Sequence, residues 1–158
     1  MISIELARAL RTAGLRWHPR SGDGFVIETV ESGDAPGAAQ EVFTVSEMTV
    51  EVHQHPTGDL LGFNGTTEWA LDSVDVTDAL WLPREDQLRE LLRDGFRSLD
   101  VDRDDGEPLY LVTAVIRGQE RTFEALTAAD AYGEAVLDLI VQSLMSEQGE
   151  DGSGDRPE

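Results

Sequence analysis

The order of apolar and polar positions divides the chain into three helical stretches, at its start, middle and end, with strands between them. Over residues 3–13, Leu6, Leu10 and Ala13 recur at spacings of four and three, one stripe of a helix. Ser3 stands at its N-cap, Glu5 lies in its positive first turn, and Gly14 can end it in the left-handed conformation. A turn-rich stretch, 17–23, leads to a short strand at Phe25-Val26-Ile27, and residues 31–40 are loop by composition. Residues 42–45 and 48–53 read as two strands or one bent strand. The turn signal at 55–59 introduces a strand over 60–63. Asn64-Gly65 is a hairpin turn, and 66–71 supplies the returning strand.

A second helix opens at Pro83, where a fixed φ and a missing N–H do no harm. Leu88, Leu91 and Leu92 face inward, Glu85 can pair with Arg89, and Gly95 closes the helix. An acidic loop, 100–108, follows. Residues 109–117 and 120–125 are strands joined at Gly118-Gln119. Thr127-Ala128-Ala129-Asp130 has the form of a capping box, with Asp in place of Glu, and starts a helix over 128–145. Its stripe of Tyr132, Ala135, Val136, Leu139 and Ile140 is widened by Leu137, Val141 and Leu144. A stripe that broad exceeds what one sheet face covers.

The pattern predicts an α+β fold: an antiparallel sheet or meander with an N-terminal helix, a middle helix and a long C-terminal helix packed on the sheet. Residues 1–145 form one domain, with 1–82 and 83–145 as its natural halves. Residues 146–158 lack hydrophobes and read as a disordered acidic tail.

Composition narrows the chemistry. The 158 residues carry a formal charge of −20, and all 12 basic residues are arginine. Without lysine there is no P-loop lysine and no Schiff-base lysine; without cysteine there is no thiol nucleophile, disulfide or thiolate metal site. A pI near 4.2 disfavours nucleic acid and anionic membranes as partners and favours basic proteins or cations. No secretory leader and no transmembrane run is apparent, the longest largely apolar run being 109–116, so the expected compartment is the cytoplasm. Arginine in place of lysine, with abundant Ala, Gly and Asp, is the composition of a GC-rich genome.

Two stretches could ligate metal. Glu51, His53 and His55 alternate along a predicted strand, so the three share a face, and two imidazoles with a carboxylate suit a divalent transition metal. The spacing resembles the first motif of cupin metal sites, without its upstream glycine, its following glutamate or a late histidine. The plain alternative is a polar outer face with Val50 and Val52 inward. Asp100, Asp102 and Asp104 alternate like calcium-loop donors, but Gly106 falls one place late and position twelve is Leu111. The plain alternative there is a solvated connection. No cofactor is required by any motif, and calcium or a transition metal is the only candidate ion. The aromatic set Trp17, Phe63, Trp69, Trp81 and Phe96 reads as core, with a partly exposed binding surface as the alternative. No Gly-x-Ser-x-Gly elbow and no Gly-rich dinucleotide loop occurs, and no catalytic residue is assigned.

The stretches 50–53, 62–74 (Gly-Phe-Asn-Gly-Thr-Thr-Glu-Trp-Ala-Leu-Asp-Ser-Val) and 79–89 (Ala-Leu-Trp-Leu-Pro-Arg-Glu-Asp-Gln-Leu-Arg), with the opening 5–17, resemble a family of small uncharacterised actinobacterial proteins. The resemblance covers roughly residues 1–145. Members are often labelled pilus assembly protein CpaE. That label implies a receiver-plus-ATPase chain with a Walker-type lysine, which this chain lacks, so no functional residue carries over.

Together these readings predict a non-enzymatic cytosolic protein that binds a basic protein partner or a second copy of itself. The residues expected at that contact are Leu137, Val141, Leu144, Trp69 and Trp81. The alternative from another class is a metal-dependent enzyme or metal-binding protein using Glu51, His53 and His55.

Overall fold

The computed structural model describes residues 1–28, 41–45, 50–56, 58–63, 73–103 and 106–150, with side chains described for all of these except 50–55, 58–63, 73 and 147–150. The architecture is α+β, as the pattern predicts. Among the described residues three helices, α1 (Ile4–Thr12), α2 (Glu85–Leu92) and α3 (Ala128–Glu150), accompany nine strands in three antiparallel three-stranded sheets. The chain divides into two compact units, one formed by residues 1–15 with 85–158 and the other by 16–84. The N-terminal helix thus belongs to the same unit as residues 85–158. The sequence pattern of a helix does not say which distant apolar face will cover it.

The larger unit is built on β7 (Phe96–Asp102), β8 (Leu109–Ile116) and β9 (Gln119–Ala125), in that order, with α3 packed on β8 and β9 and with α1 and α2 packed on α3. Buried Val112, Ala114 and Ile116 of β8 meet the stripe of Ala129, Tyr132, Ala135 and Val136, while Leu6 and Leu10 of α1 and Leu88 and Leu92 of α2 complete the core. Gly133 sits where α1 crosses: a Cβ there would lie 2.6 Å from Leu6 Cδ2. A glycine inside a helix costs about 0.5–1 kcal/mol relative to alanine, which the close helix crossing offsets.

Local signals set the ends of these elements. Gly14, at φ +107, closes α1: its N–H donates to the Arg11 carbonyl and that of Leu15 to the Leu10 carbonyl, the two bonds of a Schellman motif. Thr127 Oγ accepts the Asp130 N–H at 3.1 Å, as expected of a capping box. The Asp130 carboxylate accepts from the Thr127 hydroxyl and, at 2.7 Å, from the Ser3 N–H, so the start of α3 also anchors α1. The Ser3 side chain makes no cap bond. Arg117 and Gly118, at φ 53 and 78, form the two-residue turn between β8 and β9, the type I′ signature.

Four expectations change. The stretch from Asp100, read as loop, is partly strand: β7 runs to Asp102, its Asp100 opposite Leu111 and its Asp102 opposite Leu109. Aspartate is a poor strand former, but pairing with β8 outweighs that preference. Pro83 lies buried two residues before α2 rather than inside it. The left-handed residue after α2 is Arg93, φ 49, in a 3-10 turn over Arg93–Gly95, and Gly95 is there for space. Finally, α3 continues five residues beyond Met145, to Glu150.

The smaller unit holds two sheets. In the first, β1 (Gly24–Ile27) lies between β2 (Phe43–Thr44) and β6 (Ala79–Leu82); in the second, β4 (Gly58–Phe63) lies between β3 (Val50–His55) and β5 (Ser73–Asp75). The strands expected at 42–45 and 48–53 therefore belong to different sheets. The turn signal at 55–59 is met by the β3–β4 hairpin, in which His55 faces Gly58. The hairpin turn expected at Asn64-Gly65 and the strand over 66–71 lie outside the described residues.

Phe25, Val45 and Ala79 form the centre of the first sheet's core, with Trp17, Ile27, Phe43 and Val76 against it. Beside this core Asp23 is 2% exposed. Its Oδ2 accepts from Trp17 Nε1 at 3.0 Å and from the Arg20 N–H at 2.9 Å, and Arg84 approaches Oδ1 at 3.7 Å. One carboxylate thus ties the approach from α1 to the strand it enters.

Two substitutions test this account. A Cβ at Gly95 would lie 2.8 Å from the Val115 carbonyl oxygen, a backbone atom of β8. Gly95→Ala should lower stability in urea by about 1–3 kcal/mol, as overpacking does; an unchanged midpoint would show that β8 yields freely. Asp23→Ala should cost about 1–3 kcal/mol by stranding two donors, and should shift tryptophan emission as Trp17 loses its acceptor. Stability and emission both like wild type would remove Asp23 from its structural role.

Candidate interaction groove

The site that stands out arises from a mismatch of lengths. The 23 residues of α3 span about 34 Å, whereas the nine of α1 span about 14 Å. Through Val136 the inward stripe of α3 is buried; beyond it Leu139 and Ile140 are half-buried, and Leu144 and Met145 are 45% and 65% exposed. The helix continues past the end of α1 at Ala13 and the end of α2 at Leu92 while its stripe stays apolar. Between them lies an open groove of about 620 Å³, with Ala13, Leu91, Leu92, Leu139, Ile140 and Leu144 among its aliphatic lining.

The polar side chains of the lining are those of Arg93, Asp94 and Ser143. Ser143 Oγ donates back to the Leu139 carbonyl at 2.8 Å, so its hydroxyl is engaged within the helix. The groove therefore offers apolar burial rather than bond-making chemistry. The C-terminal half of α3 is held in place at its other edge. Arg121 of β9 donates from Nη1 to both Asp138 carboxylate oxygens, at 3.0 and 2.8 Å, and Arg117 donates to the Gln142 carbonyl at 3.0 Å. Toward the start of the stripe Tyr132 packs on Phe96, ring centroids 5.7 Å apart, and burial holds its phenol above the usual tyrosine range. Arg89, expected to pair with Glu85, lies 4.6 Å from the Phe96 ring centroid.

Of the residues expected at a contact, Leu144 lines the groove, Leu137 is half-buried, and Val141 is 38% exposed on the flank of the same helix. Trp81 is in the other unit, half-buried and stacked on Trp17 with 6.5 Å between ring centroids, its Nε1–H buried without an acceptor among the described residues. Trp69 lies outside the described residues, as does the Phe63 side chain. The aromatic set is thus divided, Phe96 being in the larger unit and Trp17 and Trp81 in the smaller. Leu91 and Leu92, which line the groove, were legible only as inward positions of α2; two adjacent leucines at a helix end cannot both point the same way, and that was the available signal.

Five of the six candidate metal ligands fall on strands, and the sixth, Asp104, is not described. Glu51, His53 and His55 occupy alternate positions of β3, opposite Gly62, Leu60 and Gly58, and their side chains lie outside the described residues. Asp100 and Asp102 alternate along β7 instead of wrapping a loop, Asp100 Oδ2 accepting from the Ser98 hydroxyl at 2.8 Å; Asp104 lies outside the described residues. Among the described residues no three His, Asp or Glu side chains gather to hold an ion. Among the described residues the one clearly shifted carboxylate, Asp75, is held below its usual range by the N–H and hydroxyl of Thr77 and caps the turn before β6. Among the described residues no helix is long and apolar enough to cross a membrane. No protein family, curated protein or solved structure matches the chain.

Proposed function

We propose that this chain is a non-enzymatic cytosolic protein-interaction module whose groove takes up an apolar segment of a basic protein. The observation that carries the reading is the apolar stripe of α3 outlasting its cover and leaving an aliphatic groove. A stripe without cover is the usual mark of a surface that is buried in a complex. The charge of −20 supplies the long-range attraction that selects a basic partner.

Immobilised protein should capture a basic protein from host extract at low ionic strength, and Leu144→Glu should lose it while keeping the wild-type circular dichroism. Equal capture by both would take the groove out of the contact. A wild-type dimer that Leu144→Glu splits would make a second copy the occupant.

The second reading, a metal-dependent enzyme or metal-binding protein, draws support from the alternate positions of Glu51, His53 and His55 on one strand. Elemental analysis of protein purified without chelator decides it. Stoichiometric zinc, iron or manganese that disappears in His53→Ala/His55→Ala would favour this reading over the first.

A further inference from the structure

The two faces of the β7–β8–β9 sheet differ in a way the fold does not require. Within the unit the helices lie on one face only, where Val112, Ala114 and Ile116 of β8 are buried. The other face of β8 carries Leu109, Leu111, Thr113 and Val115, all half-buried. An antiparallel strand with one covered face alternates apolar and polar residues, whereas a near-continuous apolar run belongs to a strand covered on both. The sequence of β8, Leu-Tyr-Leu-Val-Thr-Ala-Val-Ile, is of the second kind.

The flanks of this aliphatic row are acidic. In register, Leu111 stands between Asp100 of β7 and Glu124 of β9, Val115 faces Glu120, and the Thr113 and Thr122 hydroxyls are 3.2 Å apart across the sheet. Asp100, Glu120 and Glu124 are exposed. The two acidic rows are two strand spacings apart, about 10 Å. That is also the diameter of an α-helix, about 10 Å with side chains.

We infer that the open face of this sheet is a docking surface for a basic amphipathic helix of a partner protein, laid along β8. Its aliphatic stripe covers Leu109, Leu111 and Val115, and arginine or lysine on its two flanks reaches Asp100 on one side and Glu120 and Glu124 on the other. The inference rests on the reading of the chain as a module for a basic partner and names a surface distinct from the groove. Eight strand residues span about 27 Å, so a helix of about 18 residues matches the row end to end.

The probe is a synthetic amphipathic peptide of about that length, with leucine on one stripe and arginine on both flanks, titrated into the full chain at low ionic strength. It should bind wild type, and Asp100→Asn/Glu120→Gln/Glu124→Gln should weaken it roughly tenfold, each lost ion pair being individually modest. A scrambled peptide of the same composition should bind at least roughly tenfold more weakly. Removing three exposed charges elsewhere on the unit, with Glu5→Gln/Glu90→Gln/Glu134→Gln, should change little, and so should Leu144→Glu. Equal binding of the scrambled peptide, an equal loss in the control triple variant, or no binding at all would overturn the docking surface. Peptide binding abolished by Leu144→Glu would overturn it too, placing the probe in the groove. A failed titration alongside groove-dependent capture from extract would remove this face and leave the interaction reading intact.

Discussion

The packing of one helix face against one strand governs the larger unit. The buried stripe of α3 lies on β8 and β9, and α1 and α2 pack on α3 in turn. The N-terminal helix therefore depends for its cover on a helix near the other end of the chain. Glycine at 133 and the Asp130 carboxylate fix that approach, one by yielding space and the other by accepting the Ser3 N–H. The ion pair of Arg121 with Asp138 secures the far half of α3, where apolar burial has thinned. Its Nη1 reaches both carboxylate oxygens while Nη2 donates to Gln119 Oε1, so the guanidinium is oriented on β9 as it makes a charge-assisted contact with the helix.

How much of this was legible in the sequence depended on how local the signal was. The capping box at Thr127, the broad stripe of α3 and the end of α1 at Gly14 were all readable, and the hairpin turn between β8 and β9 was readable to within one residue, because each is settled by residues a few positions apart. Strand β7 was missed although Leu99 and Val101 alternate with Ser98, Asp100 and Asp102 as a strand requires. The aspartates favour turns when read alone, and only pairing with β8 shows that they mark an outer face. The assignment of α1 to the C-terminal half was not legible at all, since nothing within residues 3–13 names its partner.

The candidate surfaces were half legible for the same reason. An over-wide stripe on α3 is visible in the sequence, and Leu144 follows from it. That the excess becomes a groove depends on where α1 and α2 stop, which is a matter of three-dimensional length. The metal readings rested on alternation of acidic and imidazole side chains; Glu51, His53 and His55 lie on β3, and Asp100 and Asp102 lie on β7. Alternation on a strand shares a face but does not wrap an ion, so spacing alone could not separate a ligand set from a polar surface.

The division of the chain has a kinetic consequence. The smaller unit is continuous, whereas the larger one is assembled from two segments that flank it, joined by a hydrogen bond between residues 127 positions apart. During synthesis the continuous unit has all its residues well before α3 exists. Once residues 85–150 follow, α2, the β7–β8–β9 meander and α3 can form from near neighbours. Closing a loop of more than a hundred residues carries a large entropic cost, and contacts of that separation are slow to form. Helix α1 is therefore made before the elements it packs on and docks after them, and until then Gly133 and the Asp130 carboxylate stand open at the start of α3.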